Sequence, residues 1–304
     1  MSNGDGRSST PGRHFAFGYK RDPYDPNDYR AERLLGRPLE TDLVVPASLM
    51  SYRTTSLQQG RAGSCVAHAL CRAIDVALRC STHRMEYRDG LPPPPLASRR
   101  FMYFNARRQE AVETFRRGLP APVMTDSGAY PRLAMRAVQR LGFCPESVFP
   151  YSDDPTAISA MPRAEVYREA YDQTGFRYYR IDTIGRRRIA DVARALARGN
   201  PVIFGMMVDS AFMGWDGVRP IDVVNVNDPE SGGHMMCALE VTHDRVIADN
   251  WWGDDWGAGG FAHLSHRLFG SEIVSDVYVI EAAPAFSNSS EETMPHGLGD
   301  SCKS

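Results

Sequence analysis

Between Ser64 and Cys80 the apolar residues Val66, Ala69, Leu70, Ala73, Ile74, Ala77 and Leu78 recur at helical spacing and almost without interruption. A helix that is apolar on nearly every side must be surrounded, so the rest of the chain has to be wrapped around this segment. Gly60 and Gly63 punctuate its start. The chain has 304 residues, 42% hydrophobic and 24% charged, which suits one large domain or two lobes and excludes a disordered or fibrous protein. A formal charge of −2 leaves no global positive field to hold nucleic acid or an anionic membrane, and neither is expected as a partner. No run approaches the roughly 20 apolar residues of a membrane helix, and the first thirty residues hold no apolar core of a secretory signal. The six cysteines, Cys65, Cys71, Cys80, Cys144, Cys237 and Cys302, form no CxxC pair and no zinc-type spacing. They read as thiols of a reducing compartment, so a cytoplasmic location is expected and no metal.

Three stretches divide the chain. Residues 1–45 form an N-terminal arm: about the first 14 are polar and expected to lack fixed structure, and the turn formers Asp22-Pro23, Asp25-Pro26 and Asn27-Asp28 suit a strap along a larger body. Residues 46–283 form the main domain, with a helical lobe over about 60–155 and a β lobe over about 160–283. Residues 284–304 are expected to be a disordered tail. Within the helical lobe the pattern predicts helices at Ser64–Cys80, about Ala97–Thr114, and Pro131 to Leu141, the last with Pro at its first turn and Gly142 at its stop. After residue 176 it predicts a helix at about Ile189–Arg198 and β runs at 201–208, 235–241, 245–249, 259–264 and 276–281. A cleft between two such lobes is the natural place for chemistry.

Three segments carry residues suited to it. Gln59-Gly60-Arg61-Ala62-Gly63-Ser64-Cys65 sets a cysteine where a glycine-rich loop enters the apolar helix. Unpaired N–H groups and the helix dipole favour a thiolate there, and the glycines let a substrate backbone come close. Ser231-Gly232-Gly233-His234-Met235 puts a histidine between a flexible turn and an apolar strand, a rigid mount for a base at a cleft edge. Asp249-Asn250-Trp251-Trp252-Gly253 ends a strand with an amide that can orient an imidazole and an indole that can shield it. Taken singly, each has an ordinary reading: a small core residue, a satisfied core histidine, a turn asparagine, core tryptophans.

Taken together, in this order and context, the segments resemble the papain-like cysteine peptidases over roughly residues 45–282. Gln59 lies six residues before Cys65, His234 follows a Gly pair, and Asn250-Trp251-Trp252-Gly253 stands where that family has Asn-Ser-Trp-Gly. Trp256-Gly257 and Gly259-Gly260-Phe261 continue the signature, and Ser127-Gly128-Ala129-Tyr130-Pro131 matches the substrate groove. Segments such as Gly142-Phe143-Cys144-Pro145-Glu146 look most like the bacterial and viral branch. The resemblance implies an α+β, two-lobed papain-like fold, helical on one side and β-barrel-like on the other, and an endopeptidase needing no cofactor that acts on protein or peptide substrates. It implies Cys65 as nucleophile, His234 as acid and base, Asn250 as the group orienting the ring, and the Gln59 side chain with the Cys65 N–H as oxyanion donors. Cys65 and His234 are then expected to rest as an ion pair. Gly128, Ala129, Tyr130, Pro131, Gly232, Gly233, Met235 and Trp252 are the expected substrate contacts, with an apolar specificity pocket lined by Tyr130, Pro131, Gly232 and Met235.

The chain departs from the family at Ala62, where secreted members carry a disulfide cysteine, and at Val66, where a Trp is usual. The first departure agrees with a reducing compartment. Cys65 and Asn250 stand further apart than in papain-type enzymes, which the Pro-rich stretch near 91–95 and residues 107–123 accommodate as an insertion. No long helical prosegment is present, so the arm reads as a lasting clamp. Spacing favours Gln59 over Gln58 as oxyanion donor, and His68, one turn after Cys65, reads as a core or groove residue. Two other functions remain open at this point: a catalytically silent scaffold of the same fold, and acyl transfer to an amine.

Overall fold

A computed structural model describes residues 15–36, 43–84, 95–171 and 176–282. The expected disordered ends (1–14 and 284–304) and most of the Pro-rich stretch lie outside them. The arm carries one short helix, α1 (Glu32–Leu35), and β1 (Ala47–Ser48) follows. The helical lobe is α2 (Cys65–Arg84), α3 (Arg99–Arg116), α4 (Pro131–Leu141), α5 (Pro155–Ser159) and α6 (Ala164–Tyr171). The second lobe runs β2 (Phe176–Arg180), α7 (Gly185–Ala197), β3 (Val202–Val208), α8 (Ser210–Met213), β4 (Gly232–Val241), β5 (Arg245–Asp249), β6 (Phe261–Ser265), α9 (His266–Gly270) and β7 (Val274–Ala282).

Local chemistry accounts for the helix ends. The Ser98 hydroxyl accepts from the Phe101 N–H and starts α3, while α4 opens on Pro131 and stops at Gly142, whose φ of +67° suits glycine. The strands join antiparallel in the order β2-β7-β3-β4-β5-β6, with β1 paired to β4. The α2 helix lies between the two layers, touching α3 and α4 on one side and β3, β4 and β7 on the other. From Val66 to Ile74 every one of its residues is buried, as the all-round apolar pattern requires, and one continuous core runs through both lobes. Cys65 is thereby fixed at the seam between helices and sheet.

The short strand β2 was not legible in the apolar pattern, because Phe176-Arg177-Tyr178-Tyr179-Arg180 mixes cations with aromatics. It adds to the edge at β7, and the arm then covers it: Ala31 N–H donates to Arg180 O (2.8 Å) and Arg180 N–H to Tyr29 O (2.7 Å).

Candidate active site

The loop before α2 is held from three sides. The Tyr151 hydroxyl donates to Gln59 O and meets Ser64 Oγ, both at 2.7 Å. Gln59 N–H donates to Trp251 O across the lobe boundary at 3.0 Å, and the Asp126 carboxylate accepts from Gly63 N–H. Asp126 also accepts a hydrogen bond from the Tyr103 hydroxyl, and the Tyr103 oxygen accepts from Gly128 N–H at 2.9 Å. One tyrosine thus ties the Gly63 and Gly128 walls together. The fully buried Gln59 side chain points its Nε2 at Ala62 O (3.0 Å) and at Ala16 O (2.8 Å).

Across the seam, β4 presents His234 and the end of β5 presents Asn250. His234 Nε2 lies 2.7 Å from Asn250 Oδ1, which also accepts from Trp251 N–H at 2.8 Å. The amide oxygen therefore keeps the proton on Nε2 and leaves Nδ1 as the basic nitrogen, buried and without a hydrogen-bond partner. Trp252 stacks on the imidazole at 4.5 Å and 29°, and Trp251 Nε1–H donates to Met235 O at 2.8 Å. Cys65 opens α2 two residues after Gly63, on which Gly18 of the arm packs, and that same Gly18 donates its N–H to the carbonyl of Gly233, the residue before the histidine. Gln59 and Cys65 before and at the start of α2, and His234 and Asn250 on the sheet side of the seam, are all fully buried, and the imidazole is bonded to Asn250 and not to the Cys65 sulfur.

That burial changes their charge. It pushes the Cys65 thiol up to about 11, against the pull of backbone N–H groups from Met235 and Gly18, and it pushes His234 down to about 4 against the Asn250 bond. The ion pair implied by the resemblance is opposed in this covered form, since both members are removed from water. His68, pushed by burial down to about 3, contacts Ser64 O and Gln58 O and is a core residue.

The cover is the chain's own arm. Phe15 and Phe17 lie against Trp252, at 4.5 and 6.3 Å between ring centroids. Gly18 and Tyr19 then donate their N–H groups to Gly233 O, while Ala129 N–H donates to Gly18 O (2.7 Å) and Lys20 N–H to Ala129 O (3.0 Å). The arm bridges the two lobes, with Tyr19 in an isolated parallel bridge to Ala129. Glycine makes the passage possible: a Cβ on Gly63, Gly128, Gly205, Gly232 or Gly233 would run into arm residues 17–19, and one on Gly18 would overlap the Gly63 carbonyl.

Of the substrate contacts expected from the sequence, Gly128, Ala129, Gly232, Gly233 and Trp252 all meet the arm, and Tyr130 lies under the Lys20 ammonium at 5.3 Å. Pro131 is buried at the start of α4. The apolar pocket expected at Tyr130, Pro131, Gly232 and Met235 does not match the chamber that takes an arm side chain. Gly232 faces Phe17, whereas the Tyr19 ring lies over Gly205 and its hydroxyl reaches Ser275 and Asp276. Gly205 had a legible signal, a lone glycine in an apolar strand, which marks a close approach. Ser275 and Asp276 had none, because they join the cleft through the pairing of β7 with β3.

The chain matches no protein-family model. It is 30% identical over 237 residues, spanning 75% of this chain and 70% of the relative, to an uncharacterized peptidase C1-like protein of Acanthamoeba polyphaga mimivirus. Its fold resembles xylellain, a cysteine protease from Xylella fastidiosa, at a TM-score of 0.68 and 24% identity over 88% of this chain and 96% of that one. Bromelain protease from Ananas comosus superposes with a TM-score of 0.54 at 12% identity, over 79% of this chain and 99% of that one. The two-lobed fold is common to all of these structures, and the viral relative adds the family: this chain belongs to the peptidase C1-like, papain-like cysteine peptidases.

Proposed function

We propose that the chain hydrolyses peptide bonds through a Cys65 thioester, with His234, Asn250 and Gln59 in the roles their chemistry suggests. The observation that carries this reading is the Ala16 carbonyl held 2.8 Å from Gln59 Nε2: a peptide already lies in the cleft with an oxygen on the amide beside the nucleophile. In the reaction, Cys65 passes its proton to His234 Nδ1 and the sulfur bonds to the scissile carbonyl carbon. The charge that builds on oxygen is met by Gln59 Nε2–H and the Cys65 N–H, donors worth about 3 kcal/mol each in other proteases. The C–N bond then breaks, the amine leaves with the proton from His234, and a thioester remains. Water attacks that thioester while His234 takes its proton, the acid is released, and the thiol is restored.

The arm escapes this fate by its direction. A leaving amine protonated by His234 belongs on the side of Trp252, which stacks on that ring, so a substrate's acyl half belongs on the side of Ala129. A substrate therefore runs from Ala129 toward Trp252, whereas the arm runs from Phe15 at Trp252 to Lys20 at Ala129. Its peptide bonds meet Cys65 in the reverse sense. The free thiols of Cys65, Cys71, Cys80, Cys144 and Cys237 support a reducing, cytoplasmic setting.

Cleavage profiling on a denatured proteome tests the reading. Products made by the Gly18→Ala chain and lost in Gly18→Ala/Cys65→Ala are expected, and identical product lists from both chains would refute it.

A further inference from the structure

One face of α3 is left open. Phe104, Ala111, Val112 and Phe115 line it at helical spacing, Ala121 and Met124 form the facing wall, and the groove between them has a volume of about 530 Å³. The second wall is held in place. Gly118, at φ +77°, turns the chain back after α3, and Leu119 N–H donates to Thr114 O at 3.2 Å. From beneath, the buried Arg107 donates to Thr125 O and Ile158 O. Apolar surface continues past the rim, with Phe115 72% exposed, Leu119 56% and Val123 81%. Three large apolar side chains facing water within nine residues of sequence, beside a preformed groove, mark a contact surface.

Charge on α3 is sorted by side. Glu110 accepts from Lys20 of the arm at 3.0 Å, and Glu113 accepts from Gln109 and lies 3.6 Å from Arg136 of α4. Arg108 and Arg116 instead line the groove, and no carboxylate among the described residues pairs with either. We propose that this groove docks a helical segment of a partner protein, apolar on the face that enters and carrying two acidic residues about two turns apart that meet Arg108 and Arg116. The spacing follows from α3, whose rise sets the two guanidiniums about 12 Å apart along its axis. A helix is required because the walls offer side chains and no open strand edge, so the incoming backbone must satisfy its own hydrogen bonds. Charge complementarity selects the acidic partner. A second copy of the same face would set guanidinium against guanidinium, which opposes self-association. Two cations in a concave groove also fall short of the roughly four to eight that hold a segment to anionic lipid. The proposal does not depend on the peptidase reading.

The test titrates the full-length Cys65→Ala chain into a fluorescein-labelled peptide, Ala-Glu-Gln-Ala-Leu-Phe-Gln-Ala-Glu-Ala-Gln-Ala, and reads binding by anisotropy. Saturable binding is expected, and Phe115→Ser, which removes a side chain exposed in the free protein, is expected to weaken it roughly tenfold or more. Arg108→Glu/Arg116→Glu is expected to weaken it by a similar factor and to gain binding of the counterpart peptide with Lys at both Glu positions, a swap that damage to the fold cannot produce. Equal affinity of the unaltered groove for the Glu and Lys peptides, or no saturation below about 1 mM, overturns the proposal. Three further outcomes also overturn it by naming another occupant. A dimer in sedimentation that Phe115→Ser dissociates assigns the groove to a second copy. Co-sedimentation with phosphatidylserine vesicles, lost in Phe115→Ser while the peptide fails to bind, assigns it to a membrane. Peptide binding that tightens roughly tenfold in Glu291→Lys/Glu292→Lys assigns it to the chain's own acidic C-terminal segment.

Discussion

Arg72 of α2 and Asp249 of β5 meet at 2.6 Å with no exposure of either side chain. Each lies close to a proposed catalytic residue: Asp249 directly precedes Asn250, and Arg72 is two turns along the helix that begins at Cys65. Around them, Asp75 and Thr54 also take Arg72, and Arg53 donates to Asp249. Such a network trades desolvation against attraction and registers the two lobes, which keeps sulfur and imidazole on facing sides of the seam.

Removing one partner leaves the other charged and buried. Asp249→Ala is expected to lower the free energy of unfolding by about 3 kcal/mol, the low end of such losses because Asp75 still neutralises Arg72. Urea unfolding measures it; a midpoint unchanged from wild type would mean the network contributes no registration.

The arm covers Cys65, the proposed nucleophile, which is fully buried. In wild type, burial keeps Cys65 a thiol, so iodoacetamide at about pH 6 is expected to label it slowly. A methyl at position 18 cannot coexist with the Gly63 carbonyl, so Gly18→Ala is expected to raise that rate roughly tenfold or more as the thiolate and imidazolium form in water. Cys71, Cys80, Cys144 and Cys237, all buried, serve as references in peptide mapping. Equal rates in the two chains would show that the arm does not control access.

Losing Gln59 is expected to have two effects that pull in opposite directions. Gln59→Ala removes the proposed oxyanion donor, and in the Gly18→Ala chain kcat is expected to fall about 10²- to 10³-fold. The same change removes the amide that holds Ala16 O, so in the otherwise wild-type chain Cys65 alkylation is expected to rise. A variant in which both quantities fall would indicate general loss of structure instead.

The arm's grip depends on pH through Asp22. Burial first and the neighbouring Asp276 charge second push its carboxyl up to about 7, outweighing Arg132 and Tyr278, which donate to it. A pKa higher in the docked arm than in the free one means docking takes up a proton. Its contribution is complete below 3.8 and is lost as pH rises toward about 7. The ratio of alkylation rates, wild type over Gly18→Ala, is therefore expected to climb across that window and to flatten in Asp22→Asn. A ratio that falls with rising pH would mean that docking of the arm releases a proton instead of taking one up.

What the residues dictate by themselves is local. Pro131 and Gly142 bound α4 because each restricts or permits backbone angles whatever surrounds it, and the apolar run after Ser64 could only be a buried helix. The glycines before Cys65 and His234 were legible for the same reason, as places where a backbone comes close. Which backbone comes close was not. Tyr19 reaches Ser275 and Asp276 across more than 250 positions of sequence, and Gln59 finds Ala16 O, through contacts that exist only once β3, β4 and β7 have paired. Hydrogen bonds between distant segments leave no period in the sequence, so tertiary structure alone decided that the cleft is filled by its own arm and that the Tyr19 hydroxyl meets Ser275 and Asp276.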